Sequence, residues 1–264
     1  MRCDCPRLPP APARASVGLR RLGDKMGPIT TCVFDAYGTL FDVDAAARRL
    51  ADAAAQDGAA GHGQDAQHRF AAVWQQVAAD WRSKQLQYTW LRTLTGAHCD
   101  FWQVTQDGLD WALERAGVAD PALRGQLLDL YRDLPAYPEV PGVLAQLARA
   151  GFGRAILSNG SPDMLAAAVA AAGIGDLLDD VLSVEAVGKF KPHPAVYDLV
   201  GTRFACAPAQ VLFVSANGWD IAGAAAYGFR TLWINRAALP VDRMPGRPDA
   251  IAPDLTALPG HLGV

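Results

Sequence analysis

Polar residues follow several short apolar runs in this chain of 264 residues, and their types are ones that do chemistry. Asp35 ends the first run, where a carboxylate is open to a ligand and ionised at neutral pH unless it is heavily desolvated. Gly38 permits a tight turn there, and the Thr39 hydroxyl could orient the carboxylate. Taken alone, this pattern fits a reactive carboxylate and an ordinary turn-capping aspartate equally well.

A second polar segment joins an apolar run to the start of a helix. Ser158 and Asn159 follow the run, and Ser161 precedes Pro162 at the predicted helix start. Backbone N–H groups and hydroxyls at such a position bind anions, and Ser161 also suits simple helix capping. The two roles are compatible, so the segment is a candidate anion site.

A third segment supplies a positive charge. Lys191 stands before Pro192, which restricts its backbone, and it could place an ammonium group beside Asp35. The alternative is a solvated loop lysine, a description that fits Lys189 as well.

The fourth segment follows another apolar run and contains Ser215, Asn217 and Asp220. It offers a hydroxyl, an amide and one carboxylate within six residues, although a capped helix start would use the same residue types. The four segments become informative because they occur in this order, each beside its own predicted strand.

The elements that must position these residues alternate between strands and helices. Apolar runs of strand length predict strands over residues 31–34, 155–157, 181–184, 211–214 and 231–234. Helices are predicted over residues 162–172, 194–204 and 221–227. This alternation predicts an α/β fold with a Rossmann-like, mostly parallel sheet, in which ligands bind beyond the carboxyl ends of the strands.

One long helical stretch interrupts the alternation. Residues 44–130 show no strand pattern, and they contain five of the seven tryptophans: Trp74, Trp81, Trp90, Trp102 and Trp111. Trp74 and Trp81 are seven residues apart and so share a helix face, which indicates packing within a helical unit. We therefore predict an inserted helical cap subdomain over residues 44–130, and a core made of residues 27–43 and 131–264.

Composition limits the class of protein. Hydrophobic residues make up 51% of the chain and charged residues 19%, which is enough apolar material for a sizeable core. The formal net charge of −3 gives no basic field for nucleic acid, and no apolar run is long enough to span a bilayer. The five scattered cysteines favour reduced thiols in the cytoplasm over a disulfide framework or a structural zinc site.

The first 26 residues differ from the rest in being rich in proline and arginine without an apolar stretch. We interpret residues 1–26 as a disordered extension, or as the product of an upstream start codon with Met26 as the true initiator. Deletion of residues 1–25 is expected to leave activity intact.

Together, the four polar segments resemble the motifs of the haloacid dehalogenase superfamily over roughly residues 28–240. The resemblance implies that Asp35 is a nucleophile, that Lys191 supports it, and that Asp220 belongs to the acidic motif that closes the site. Ser158 corresponds to the hydroxyl residue of the second motif.

Within that superfamily, phosphatases carry a second aspartate two residues after the nucleophile, and Tyr37 stands there in this chain. A phenol with a pKa near 10 is a poor acid–base residue, and magnesium prefers carboxylate oxygens. The segments 35–39 and 215–220 and the cap segment 81–92 instead resemble the L-2-haloacid dehalogenase branch. A halide leaving group needs no proton, and neither a metal nor another cofactor is expected.

The resemblance to this branch implies a two-step hydrolysis with a covalent aspartyl ester. Asp35 would displace the halide from a short (S)-2-haloalkanoic acid with inversion, and water would then release the (R)-2-hydroxy acid.

Arg82 and Asn159 would face the halide, while Ser158 and the backbone near Ala36 and Tyr37 would hold the substrate carboxylate. The hydrolytic water and the lysine would be positioned by Thr39, Ser215, Asn217 and Asp220. Tyr197 would help to hold the site together, and the alkyl pocket would be formed by Leu86, Phe101 and Trp219, which core packing also explains.

Three alternatives stay open at this point: a magnesium-dependent phosphatase, a hydrolase of another activated carbon centre beside a carboxylate, and an inactive binding module. The expected partners are a small 2-haloacid and water, with no nucleic acid and no membrane. The family resemblance also implies a homodimer.

Overall fold

The computed structural model describes residues 27–56 and 64–264. The predicted extension over residues 1–26 lies outside the described residues, as do Cys3 and Cys5. Cys32, Cys99 and Cys206 are free thiols. None of the described helices is both long enough and apolar enough to cross a bilayer.

A single six-stranded sheet forms the centre of the described chain, in the order β3-β2-β1-β4-β5-β6 with every neighbouring pair parallel. The strands are β1 (Thr31–Phe34), β2 (Gly153–Ser158), β3 (Asp180–Ser183), β4 (Val211–Ser215), β5 (Arg230–Ile234) and β6 (Ala250–Ala252). The α/β prediction is confirmed. Every residue of β1, β4 and β5 is buried, as expected for strands covered on both faces.

Helices are interspersed with the strands along the described part of the chain. They are α1 (Ala45–Gln56), α2 (Gln64–Thr95), α3 (Phe101–Arg115), α4 (Pro121–Arg132), α5 (Val140–Arg149), α6 (Pro162–Ala171), α7 (Pro194–Phe204), α8 (Gly218–Tyr227) and α9 (Leu258–Leu262). Short 3-10 helices cover Gly175–Leu177, Val184–Ala186, Pro208–Gln210 and Leu255–Ala257.

The helices α1 to α4 all fall between β1 and β2, and we call them the helical insert. Its helices pack on one another, α2 against α1 and α3, and α1 against α4. The buried Trp81 donates its indole N–H to the backbone oxygen of Thr105 over 2.8 Å, and its ring lies 4.9 Å from that of Tyr131. Trp81 therefore joins three helices of the insert, α2, α3 and α4.

Local sequence explains most helix ends. Asp100 accepts a hydrogen bond from the backbone of Gln103 at the start of α3, and Asp120 does the same for Leu123 in α4. Gly173, with a φ of 63°, follows the end of α6 as predicted.

Three details differ from the sequence-based expectations. The hydroxyl of Ser161 makes no capping hydrogen bond, although Ser161 occupies the N-cap position of α6. Helix α8 begins at Gly218, three residues before the predicted start at Ile221. Strand β6 was not predicted, because a three-residue segment with one β-branched residue carries almost no periodicity.

Candidate active site

Asp35 follows β1 directly, at the carboxyl edge of the sheet and between the ends of β2 and β4. Its backbone N–H continues the ladder to the oxygen of Val214 over 2.9 Å, and its side chain is buried. The carboxylate is held from two sides. Oδ2 accepts from the Thr39 hydroxyl at 2.9 Å and from the Asn217 amide at 2.8 Å, and Oδ1 accepts from Lys191 at 3.1 Å.

A tight turn returns Thr39 to this carboxylate. Gly38 has a φ of 87°, which a glycine adopts without steric cost, and Leu40 donates its backbone N–H to the oxygen of Ala36 at 2.8 Å. The Thr39 hydroxyl also accepts from the backbone N–H of Ala216 at 2.8 Å, so its hydrogen is directed to Asp35. The turn chemistry predicted from the sequence thus orients the carboxylate.

Lys191 lies between two carboxylates. Its ammonium nitrogen is 3.1 Å from Oδ1 of Asp35 and 2.8 Å from Oδ2 of Asp220, and its side chain is fully buried. Burial alone favours the neutral amine, but the charges of Asp220 and Asp35 outweigh it and raise the pKa of Lys191. The lysine is therefore a fixed cation at the centre of the site.

Asp220 closes the site from the first turn of α8 and is fully buried. Burial raises its pKa to about 6, and the nearby charge of Asp35 acts in the same direction, whereas Lys191 and the hydrogen bond from Tyr197 lower it. The Tyr197 hydroxyl donates to Oδ1 at 2.8 Å, and the Ser215 hydroxyl lies 3.4 Å from Oδ2.

Arg82 reaches the site from α2 of the helical insert. Its Nη2 atom donates to Oδ1 of Asn217 at 3.1 Å and to the backbone oxygen of Tyr37 at 3.4 Å. Because the Asn217 amide nitrogen donates to Asp35, a single asparagine links the insert's guanidinium to the carboxylate on the sheet. This connection places Arg82 beside Asp35.

Ser158 ends β2, the strand beside β1, Asn159 follows it, and both are buried. The Ser158 hydroxyl accepts from the backbone N–H of Gly160 at 3.1 Å. Oδ1 of Asn159 accepts from the backbone N–H of Lys191 at 2.9 Å, which ties the lysine loop to the second motif. The Asn159 amide nitrogen has no hydrogen-bond partner within residues 27–56 and 64–264, and it stays available to a ligand.

Aromatic rings enclose the site on its insert side. The buried ring of Tyr37 stacks on Tyr131 at a centroid distance of 5.8 Å and lies 5.9 Å from Phe101. Burial is the main cause that raises the pKa of Tyr37 well above its ordinary value. Tyr37 is therefore a neutral side chain whose ring lines the site. It provides no carboxylate at the position where the phosphatases have their second aspartate.

The other two proposed pocket residues are Trp219 of α8 and Leu86 of α2. The Trp219 ring meets Trp90 of α2 edge-to-face, with centroids 5.5 Å apart. Leu86 stands midway between Arg82 and Trp90 on α2 at a spacing of four residues, and it therefore shares their helix face. From the sequence, Trp90 is named only as a tryptophan of the helical stretch and Tyr131 is not named, although the helical spacing from Arg82 identifies Trp90 as a neighbour of the site.

No group of three or more His, Cys, Asp or Glu side chains able to hold a metal ion occurs within the described ranges. Asp35 and Asp220, the two carboxylates of the site, share the ammonium group of Lys191. The chemistry of this donor set suits a carboxylate nucleophile with a fixed organic cation.

Comparison with known proteins gives a consistent result. Residues 29–228 match the family model of haloacid dehalogenase-like hydrolases. The chain is 43% identical over 216 residues to (S)-2-haloacid dehalogenase 1 of Pseudomonas sp. (strain CBS-3), covering 81% of this chain and 88% of that protein. It is also 43% identical over 209 residues to the (S)-2-haloacid dehalogenase of Xanthobacter autotrophicus, covering 79% and 76%.

Solved structures agree with the sequence comparisons. A crystal structure of an L-2-haloacid dehalogenase superposes with a TM-score of 0.81 at 38% identity, covering 90% of this chain and 100% of that one. The L-2-haloacid dehalogenase of Xanthobacter autotrophicus with chloropropionic acid covalently bound gives a TM-score of 0.72 at 37% identity, covering 88% and 97%.

Proposed function

Because the chain belongs to the haloacid dehalogenase-like hydrolase family, we propose that it hydrolyses short-chain (S)-2-haloalkanoic acids to (R)-2-hydroxy acids through an ester on Asp35. The observation that carries the proposal is the setting of Asp35: a buried carboxylate with Lys191 on one oxygen and two neutral donors on the other. The relatives named (S)-2-haloacid dehalogenase, and the relative with chloropropionic acid covalently bound, support the same chemistry.

In the first step, a carboxylate oxygen of Asp35 attacks the halogen-bearing carbon opposite the carbon–halogen bond. A carbon–oxygen bond forms and the halide leaves with the bonding electrons, so no proton is needed. Oδ1 is the better nucleophile because Oδ2 is already occupied by two donors. Positioning the reactants in line contributes on the order of 7–11 kcal/mol in favourable cases.

The departing halide and the substrate carboxylate each need donors. We assign the halide to Arg82 and to the amide nitrogen of Asn159, because a guanidinium group is a strong donor to anions and because each residue shares a partner with Asp35, Asn217 for Arg82 and Lys191 for Asn159. The substrate carboxylate is assigned to Ser158 and to the backbone N–H groups near Ala36 and Tyr37. The alkyl group then rests against the side chains of Leu86, Phe101 and Trp219.

In the second step, water attacks the Cγ atom of the Asp35 ester. The electron pair of the C=O bond moves to Oδ2, where Thr39 and Asn217 donate. Collapse expels the hydroxy acid with Oδ1, and Asp35 regains an oxygen from water. Asp220 accepts the proton of the water, since a carboxylate with a pKa near 6 is ionised at neutral pH and still basic enough. Ser215 and Tyr197 fix Asp220 for this role.

A single-turnover reaction in ¹⁸O water tests this route. Label is expected in the Asp35 carboxylate and not in the first-formed hydroxy acid, because the product takes its oxygen from Asp35. Label in the product alone would exclude the ester. The Asp35→Asn variant is expected to lose halide release from (S)-2-chloropropionate, and undiminished release would contradict the proposal.

We propose that the functional unit combines a core of residues 27–43 and 131–264 with a cap of residues 44–130, whose last helix, α4, runs on to Arg132, and that it works as a homodimer in the cytoplasm. The free thiols of Cys32, Cys99 and Cys206 suit a reducing compartment. Leu91 and Leu94 of α2 are 49% and 82% exposed and offer an apolar contact for a second copy. Sedimentation of the purified chain tests the association.

A further inference from the structure

Arg236 lies just beyond β5, at the same edge of the sheet as Asp35, and it has three well-defined contacts. Its Nη2 atom donates to Oε1 of Glu139 at 2.7 Å and to the backbone oxygen of Thr39 at 3.3 Å. Its guanidinium carbon lies 3.7 Å from the centroid of the Tyr137 ring. The side chains of Arg236 and Glu139 are only 23% and 16% exposed, so solvent screens the ion pair weakly.

These contacts reach the nucleophile through Thr39. The side chain of Thr39 donates to Oδ2 of Asp35 at 2.9 Å, while its backbone oxygen is the atom held by Arg236. Thr39 is therefore held by Asp35 through its side chain and by Arg236 through its backbone oxygen. A shift of the Thr39 backbone would turn its hydroxyl away from Oδ2.

The segment that carries Glu139 also supports the turn after Asp35. Tyr137 donates its backbone N–H to the oxygen of Leu40 at 2.9 Å, and Asp42 donates to the oxygen of Pro135 at 3.0 Å. These backbone bonds do not involve Arg236. Loss of the arginine therefore loosens the turn at Thr39 without removing its other supports.

We propose that Arg236 is a positioning residue for hydrolysis of the ester, acting through Thr39. The inference rests on the proposed function. When water attacks Cγ, the negative charge develops on Oδ2, the oxygen to which Thr39 donates, whereas the earlier attack on the substrate carbon uses Oδ1 and Lys191. Removing the arginine is thus expected to slow the second step more than the first.

The test compares Arg236→Gln, Arg236→Lys and wild type with (S)-2-chloropropionate. In Arg236→Gln, kcat is expected to fall about tenfold, or about 1.4 kcal/mol, and KM to fall with it because the ester accumulates. Intact-protein mass spectrometry after acid quench is expected to show the ester on most of the variant and on little of the wild type. Arg236→Lys, which keeps a charge for Glu139, is expected to recover most of kcat.

The matched control is Arg203→Gln, which removes a surface arginine paired with Asp180. It is expected to leave kcat and the ester fraction as in wild type. Glu139→Gln provides a milder second variant, expected to raise the ester fraction in the same direction as Arg236→Gln, and it carries the test if Arg236→Gln does not fold.

Two outcomes overturn the inference. One is a folded Arg236→Gln or Glu139→Gln variant without ester accumulation while the wild type releases halide. The other is a fall in kcat that only tracks the fraction of folded protein measured by circular dichroism. Absence of halide release by the wild type would instead contradict the proposed function.

Discussion

The Tyr197 hydroxyl donates to Oδ1 of Asp220 over 2.8 Å, while Lys191 binds the other oxygen of the same carboxylate. The buried Asp220 therefore has a separate partner on each oxygen. Both partners favour the ionised form, which burial disfavours.

This arrangement predicts an acid limb in the pH dependence of halide release. When Asp220 takes up a proton at low pH it can no longer accept one from water, so kcat falls as the pH is lowered. The ester removes the charge of Asp35, which raises the pKa of Asp220, so this limb is expected below the free enzyme's value of about 6. Tyr197→Phe removes a hydrogen bond that lowers the pKa of Asp220, so the limb moves to higher pH. Rate profiles of both proteins check this, with Tyr227→Phe as the control because its hydroxyl donates to Asp198. A limb at the same pH in Tyr197→Phe and wild type would contradict the assignment.

The buried charges predict unequal stability effects. Lys191→Met leaves Asp35 and Asp220 facing each other without a cation, and it is expected to lower the free energy of unfolding by about 3–5 kcal/mol. Asp35→Asn removes one attraction to Lys191 and one repulsion with Asp220, and its stability is expected to stay within about 1 kcal/mol of wild type. Urea unfolding at pH 7 measures both, and equal losses would show that the lysine does not balance the two carboxylates.

Arg82→Ala is expected to reduce kcat/KM for (S)-2-chloropropionate by about 10²–10³, because it removes a charged donor from the leaving group. The fold is expected to persist, since Arg82 is only partly buried. Arg92→Ala is the matched control on the same helix, because Arg92 pairs with Asp107 inside the insert. Halide release by Arg82→Ala at the level of Arg92→Ala would remove Arg82 from the site.

Gly160→Ala tests the packing of Tyr37. An added Cβ would lie 2.8 Å from Cε2 of Tyr37 and 3.1 Å from Leu165, and Tyr37 is held by its stack on Tyr131. We expect a loss of about 1–3 kcal/mol in unfolding free energy and a raised KM. Gly125→Ala, whose Cβ would meet nothing within 4 Å in the middle of α4, is expected to stabilise the protein slightly. A Gly160→Ala variant with wild-type KM and stability would contradict this account.

Halide release is expected to be unaffected by EDTA or by added magnesium, because Lys191 already occupies the position between the two carboxylates of the site. The measurement is kcat for (S)-2-chloropropionate after dialysis against chelator, with p-nitrophenyl phosphate as the phosphatase control. Activity on the phosphate ester that depends on magnesium would favour the phosphatase alternative.

Much of the sheet could be predicted from the sequence, because apolar runs such as residues 211–214, which form most of β4, are short, contain β-branched residues and are followed by polar residues. The polar segments could be assigned to one edge for the same reason, since parallel strands end together. Strand β6 was not predicted, because Ala250–Ala252 forms a strand through its pairing with β5 and has little β-sheet propensity of its own.

The contacts between the helical insert and the sheet could not be derived in the same way. That Asn217 links Arg82 to Asp35 depends on where α2 lies over the strands, which periodicity does not encode. The proposed role of Arg236 could not be found from the sequence either, because it depends on contacts with Glu139 and Thr39, which are 97 and 197 residues away along the chain. Such long-range contacts arise only from tertiary packing.

The guanidinium group assigned to the halide belongs to the helical insert, whereas Asp35, the proposed nucleophile, directly follows a strand of the sheet. The two halves of the proposed chemistry therefore come from different parts of the chain. Exchanging the insert is expected to change the group that receives the halide and to keep Asp35 and Lys191, because both lie outside α1 to α4.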